Sequence, residues 1–245
     1  MVEILLVFIA GIFASFVGVI AGGGGLISVA ALLFLGMPLD VTIATNRLAS
    51  VSATGSALTK YASAGKVDFR LGLRLAAIGI IGSIIGSLIL VNIEIPSAEK
   101  IISLVLLAMI PIVLFNKEVG LEERMATKRQ KTLGYFLYFF MSILGGLFGS
   151  GLGTINIIII VGLFGKKFIN SVATSWLAWL FVSISSSIVF MINGLVDYKL
   201  ALTLSIGMII GGYLGARTAV KKGDKFVKFI IILMQLIVVA KLLIF

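Results

Sequence analysis

The sequence predicts an all-α polytopic membrane protein made of two inverted-topology repeats, each a glycine-tipped, broken or re-entrant helical hairpin followed by three transmembrane helices. Three observations predict it: a composition too apolar for water, an internal duplication, and a distribution of positive charge that hairpins accommodate and straight spans do not. The chain has 245 residues, 60% hydrophobic and 12% charged, with a mean hydropathy of +1.22. A soluble domain is about 45–50% apolar and about 25% charged. The largest polar stretch, residues 116–131, is too short for a separate soluble domain. The first apolar run reaches from Val2 to Leu35 without a basic leader. That is longer than the core of a signal peptide, so it reads as an uncleaved span.

Elements recur at a spacing of 129 residues. Ala44-Thr45 returns as Ala173-Thr174, Gly65-Asp68 as Gly194-Asp197, Gly36 as Gly165, and Gly82 and Gly86 as Gly211 and Gly215. The run Gly22–Gly25 returns, with a residue or two of slack, in the stretch 145–154. The first repeat is therefore read as 1–116, a connecting loop as 117–131 and the second repeat as 132–245. In the first repeat the apolar segments are 4–20, 25–36, 41–63, 70–92 and 98–115. In the second they are 133–148, 152–164, 168–193, 199–216 and 226–245. About 20 residues cross a bilayer core as a helix. The first two segments of each set fall short and are separated by glycines.

Charge decides whether the two short pieces make one broken span or a hairpin. With hairpins, 16 of the 20 basic residues fall in inside loops, and Arg47, Lys100, Lys199 and Lys241 fall elsewhere. With broken spans the second half flips and the count becomes 11 against 9. Lysine and arginine concentrate in cytoplasmic loops, which favours hairpins. A hairpin plus three spans reverses sidedness, so the halves are inverted. This is a recurrent plan of secondary transporters, with substrate held between the repeats. The reading places the protein in the cell membrane as a multi-pass protein with both termini extracytoplasmic.

The net charge of +10 needs no nucleic acid partner, because the same loops account for it. The chain has neither cysteine nor histidine. Disulfides, thiolate metal sites and imidazole proton shuttles are thereby excluded, and no metal or cofactor is expected. The partners expected are the lipid bilayer and a small anionic substrate, with a homo-oligomer left open.

A hairpin tip inside the membrane must turn where no lipid can satisfy its backbone. Glycine allows such turns and lets a ligand approach the main chain. The second arms then start inside the membrane with unpaired N–H groups and the positive end of the helix dipole, which together favour an anion. Candidate binding residues are Gly22, Gly23, Gly24 and Gly25 in the first tip, and Gly149, Ser150, Gly151, Gly153 and Thr154 in the second. Packing of helices by small residues is the competing role. It is the expected one for Gly79, Gly82, Gly86, Gly207, Gly211, Gly212 and Gly215.

Thr45 and Asn46, with Thr174 and Ser175 in the second copy, are candidates from the duplicated Ala-Thr position. Arg47 lies about 10 Å into its helix at 1.5 Å per residue; it would snorkel, or hold an oxyanion through its guanidinium. Trp176 is its repeat mate and is expected either at the interface or on a cavity wall, as is Trp179 at the interface. Asp68 and Asp197 each precede a helix and are expected to cap it. Pro111 is expected to kink its segment.

The string from Gly18 to Val51 resembles the TauE/SafE family of anion exporters, also called sulfite exporters. The marks are Gly23-Gly24-Gly25, Gly36-Met37-Pro38, Ala44-Thr45 and Gly65-Asp68. A weaker copy runs through Gly149-Ser150-Gly151-Leu152-Gly153, Ala173-Thr174 and Gly194-Asp197. The resemblance spans nearly the whole chain. It implies movement of small anions, sulfur-containing or carboxylated, such as sulfite, sulfoacetate and other organosulfonates. Leu152 and Lys166-Lys167 depart from the family pattern in the second half and imply an asymmetric site.

No Walker A pattern is present, and every acidic residue sits at a segment end or in a loop. Facilitated anion flow, or a proton carried on the substrate, therefore fits better than relay by a buried carboxylate. An intramembrane enzyme and a non-transporting membrane scaffold are the alternatives. The enzyme would need a serine–lysine device, since histidine, cysteine and paired carboxylates are missing.

Overall fold

The computed structural model describes residues 2–92, 120–148 and 152–233. Eight helices follow in chain order among them: α1 (Val2–Ala21), α2 (Gly25–Phe34), α3 (Leu39–Ser63), α4 (Phe69–Asn92), α5 (Lys128–Phe148), α6 (Gly153–Phe164), α7 (Phe168–Ile192) and α8 (Tyr198–Lys222). Residues 224–233 are helical as well. The expected segment 98–115 with Pro111, and the end of segment 226–245, lie outside the described residues.

Five helices, α1, α4, α5, α7 and α8, are long and apolar enough to cross a membrane. Their outward faces carry large apolar side chains such as Leu5, Phe13, Ile81, Leu88 and Ile206. The fold is thus apolar outside, as lipid requires. α2 and α6 have 10 and 12 residues, about 15 and 18 Å of helix, too short to cross. α3 is long enough at 25 residues but too polar to be recognised by hydropathy. Thr42, Thr45, Asn46, Arg47 and Thr54 on it are all buried, so protein rather than lipid surrounds them.

The first arms are longer than their apolar segments suggest, at 20 residues for α1 and 21 for α5. The start of α5 falls inside the stretch read as connecting loop. Its cause is local. The Gln130 N–H donates to Thr127 Oγ1 (3.3 Å), and the Thr127 N–H donates to Gln130 Oε1 (2.9 Å). This reciprocal capping box starts a helix through basic residues, which an apolarity count passes over.

Helices of the two halves interleave. α1 packs along α8, α5 along α4, α3 against α8 and α4 against α7. Glycines make the first two pairings possible. A Cβ on Gly82 would meet the Phe139 carbonyl oxygen at 2.8 Å, and one on Gly86 would strike that of Ile143. In the other copy a Cβ on Gly211 would strike the Ile12 carbonyl, and one on Gly215 would meet that of Phe16 at 2.5 Å. The packing role expected of these glycines is therefore met, with contacts onto backbone rather than onto yielding side chains.

The connections gather at two ends. At one, Lys166 Nζ pairs with Asp68 (3.0 Å) and Glu123 (3.4 Å). There too the Arg124 N–H donates to the Gly165 carbonyl, the Phe168 N–H to the Gly120 carbonyl and the Ile169 N–H to Asp224. The residues that lead into α5 thus lie beside those that leave α6, so α5 and α6 form a hairpin that returns to the end where it began.

Candidate functional site

The turn between α1 and α2 rests on Gly22, whose φ of +89° strains any residue with a Cβ. It meets the second copy directly. A Cβ on Gly22 would strike Gly153 and the Thr154 nitrogen, and one on Gly153 would strike the Gly22 carbonyl. The two tips therefore touch each other inside the bundle. A Cβ on Gly24 would strike the Ala14 carbonyl oxygen of the facing arm, so the glycine cluster both packs the hairpin and shapes its tip.

The carbonyls ending the first arms need partners, because neither lipid nor helix supplies them. Neighbouring side chains do so. Tyr61 Oη and Trp176 Nε1 each donate to the Val19 carbonyl at 3.0 Å, and Thr154 Oγ1 donates to that of Ala21 at 2.7 Å. In the second copy Arg47 Nη2 donates to the Gly145 carbonyl. The repeat mates Arg47 and Trp176 thus perform matching tasks, each bonding the first arm of the opposite half.

Around the touching tips lies a cavity of about 50 Å³, room for a few waters. Its lining includes Gly22, Gly24, Gly25 and Gly153 from the tips, and Asn46, Ser175 and Trp176 from α3 and α7. It also includes Ser15, Ser50 and Trp179, which the sequence reading did not select. Trp179 follows Trp176 by three residues and so shares its helix face; that spacing was the available signal. Asn46 and Ser175 are repeat mates that meet at this one cavity. The Asn46 amide oxygen accepts from Ser28 Oγ (2.6 Å), which leaves its N–H groups to donate. Neither α2 nor α6 has a side-chain cap on its first turn.

Other selected residues are not on the cavity wall. Gly23 lies in the first tip, its carbonyl accepting from the Leu26 N–H at 3.2 Å. Thr154 is held by the Ala21 carbonyl. Thr45 Oγ1 accepts from the Asp197 N–H and Thr174 Oγ1 from the Asp68 N–H, both at 3.0 Å. The start of α3 therefore sits beside the end of α7, and the start of α7 beside the end of α3. Gly149, Ser150 and Gly151 lie outside the described residues.

Arg47 does not snorkel; it is fully buried. Its guanidinium stacks over Trp179, 4.9 Å from the ring centroid, and Trp179 forms part of the cavity wall. Nε and Nη1 have no hydrogen-bond partner, and Arg47 makes no ion pair among the described residues.

Outside the spans, Asp68 and Asp197 accept from the N–H groups of Leu71 (2.9 Å) and Leu200 (3.0 Å), the capping expected of them. Burial alone would raise the Asp68 carboxyl, but the Leu71 N–H and the Lys166 ammonium outweigh it and hold its pKa below the ordinary value. Burial likewise would lower Lys166, and the Asp68 and Glu123 carboxylates together hold it above its ordinary value.

Among known proteins, the family described as sulfite exporter TauE/SafE matches residues 7–242. A probable membrane transporter protein of Haemophilus influenzae is 28% identical over 97% of this chain and 93% of its own. The probable membrane transporter protein YfcA of Escherichia coli is 25% identical over 96% and 88%. YdhB of Bacillus subtilis, likewise a probable membrane transporter protein, is 24% identical over 89% of both. No solved structure matches the chain.

Proposed function

Since the chain belongs to the TauE/SafE sulfite exporter family, we propose that it is a secondary transporter of small anions, sulfur-containing ones such as sulfite, sulfoacetate or another organosulfonate. One observation carries the reading: two glycine tips meet inside the bundle, and the uncapped starts of α2 and α6 adjoin one cavity there. Two helix starts without a side-chain cap turn the positive ends of their dipoles toward the cavity, which suits an anion without a metal or a proton donor. Asn46, Ser50 and Ser175 add side-chain donors on the same wall. Arg47 stacks over Trp179 of that wall, and its charge has no carboxylate opposing it among the described residues. In surroundings of low dielectric, that charge favours an anion in the cavity.

The halves act as inverted repeats in this reading. Support comes from the matched bonds from the Asp197 N–H to Thr45 and from the Asp68 N–H to Thr174. The basic segments gathered at one end support a cytoplasmic assignment for that end. At about 50 Å³ the cavity must widen to pass a solute, and rocking of one half against the other would expose it to each side in turn. A proton, where one moves, travels on the substrate.

Purified protein is to be screened with sulfite, thiosulfate, sulfoacetate and short carboxylates by thermal unfolding, then by uptake into proteoliposomes. A substrate at 100 times its dissociation constant stabilises by about 2.7 kcal/mol. Asn46→Asp places a negative charge on the wall and is expected to lower uptake at least tenfold, whereas Asn46→Ala retains more. Absence of stabilisation by every anion, with equal uptake by Asn46→Asp and wild type, would overturn the proposal.

A further inference from the structure

At the end where the basic segments meet, a recess of about 320 Å³ opens between the start of α4, the linker at 123–126, the start of α5 and the turn from α6 to α7. Five basic side chains line it, Arg70, Arg74, Arg124, Lys131 and Lys166, against two acidic ones, Asp68 and Glu123. Both carboxylates are engaged by Lys166. Arg124 Nη2 donates to the neutral Gly162 carbonyl (2.6 Å). Arg70, Arg74 and Lys131 are exposed, with no acidic partner among the described residues. The recess therefore holds a net positive charge that nothing described neutralises.

Lysine and arginine on such an end need no ligand in general, but two observations set this recess apart. The first is its absence from the other copy. Asp68 keeps its mate as Asp197, yet Arg70 becomes Lys199, Arg74 becomes Thr203 and Lys166 becomes Met37. Asp197 caps α8 without such a cluster, so the cap alone does not call for it. The second is the rim. Leu71, Tyr135 and Phe164 line the recess beside the charges, and Met125 on the lining is 96% exposed. Side chains of this kind beside a basic recess suit a molecule with a charged head and an apolar body.

We propose that this recess binds a phosphate-bearing anion, the chemistry shared by the headgroup of an acidic phospholipid and by free inorganic phosphate. Arg70 and Arg74 would offer paired N–H donors to its oxygens, with Lys131 as a point charge. The apolar rim fits the lipid form, with the acyl chains lying along α4 and α5.

Full-length protein in detergent is to be titrated with phosphatidylglycerol and with phosphatidylcholine and read by native mass spectrometry. In parallel, thermal unfolding is followed with phosphatidylglycerol, inorganic phosphate or chloride. Phosphatidylglycerol is expected to be retained in preference to phosphatidylcholine and to raise the unfolding temperature. The triple variant Arg70→Gln, Arg74→Gln, Lys131→Gln should lose at least about tenfold in its affinity. Lys221→Gln with Lys222→Gln, exposed charges outside the recess, should lose none. Arg74→Gln alone carries the same test at smaller amplitude should the triple variant fail to fold. Stabilisation by inorganic phosphate equal to that by the lipid, and lost in the recess variant, would assign the free anion. Equal retention of both lipids with no effect of phosphate, or recess variants that bind like wild type, would overturn the proposal. None of these readouts depends on transport.

Discussion

Thr45 and Thr174 do the same thing at two places, each accepting the N–H of the aspartate that precedes the other half's fourth helix. Two residues further on, Arg47 and Trp176 share a position in the repeat but not a chemistry. Both reach a carbonyl on the opposite half's first arm, yet one is a buried cation and the other a neutral ring. The duplication thus preserves bonds that join the halves and diverges beside the cavity. The lesson is that the two halves share the bonds that join them, while the buried cation beside the cavity belongs to one half alone among the described residues.

The largest expected effect tests the framework. Gly82→Leu and Gly211→Leu each drive a side chain into a carbonyl of the crossing helix. Overpacking of well-fitted contacts costs about 1–3 kcal/mol, and rigid backbone leaves less room for relief than that. Both variants should lose folded protein in size-exclusion profiles. Survival of one and loss of the other would show that the two crossings are not equivalent.

Next in size is the divergent pair. Arg47→Met removes a buried charge that has no ion-pair partner among the described residues, and replacement of buried ions by apolar groups is often neutral or stabilising by about 1–4 kcal/mol. The unfolding temperature should hold or rise while apparent anion affinity falls by about tenfold, or 1.4 kcal/mol. Trp176→Phe removes one hydrogen bond and should cost about 0.5–1.5 kcal/mol with a smaller change in affinity. An Arg47→Met protein that unfolds readily and transports with unchanged affinity would make Arg47 a structural residue.

The smallest effect separates the two caps. Asparagine caps a helix about as well as aspartate, so Asp197→Asn should be close to silent. Asp68→Asn also removes the pair with Lys166, which is partly exposed and worth up to about 1 kcal/mol. Because the folded-state pKa of Asp68 is depressed, its contribution is present at neutral pH and is lost as pH falls through that value. Thermal unfolding of the two variants should therefore differ at pH 7 and converge with wild type in acid below the ordinary carboxylate range.

Sequence alone determined what depends on neighbours along the chain. Apolar runs located α4, α7 and α8 as spans but left α1 and α5 too short, glycines located the hairpin tips, and Asp68 and Asp197 were readable as caps because a cap acts within one helical turn. Where a local rule was overlooked, as with Thr127 and Gln130, the helix began earlier than apolarity suggested. Tertiary structure decided what depends on residues far apart in sequence. It put α1 on α8 and α5 on α4, buried the polar face of α3, and turned Thr45, Thr154 and Thr174 from the cavity toward backbone partners. It also set Arg47 over the ring of Trp179, which lines the cavity. The physical reason is that a buried polar group is satisfied by whichever donor or acceptor packing brings within about 3 Å, and periodicity along one helix does not name that neighbour.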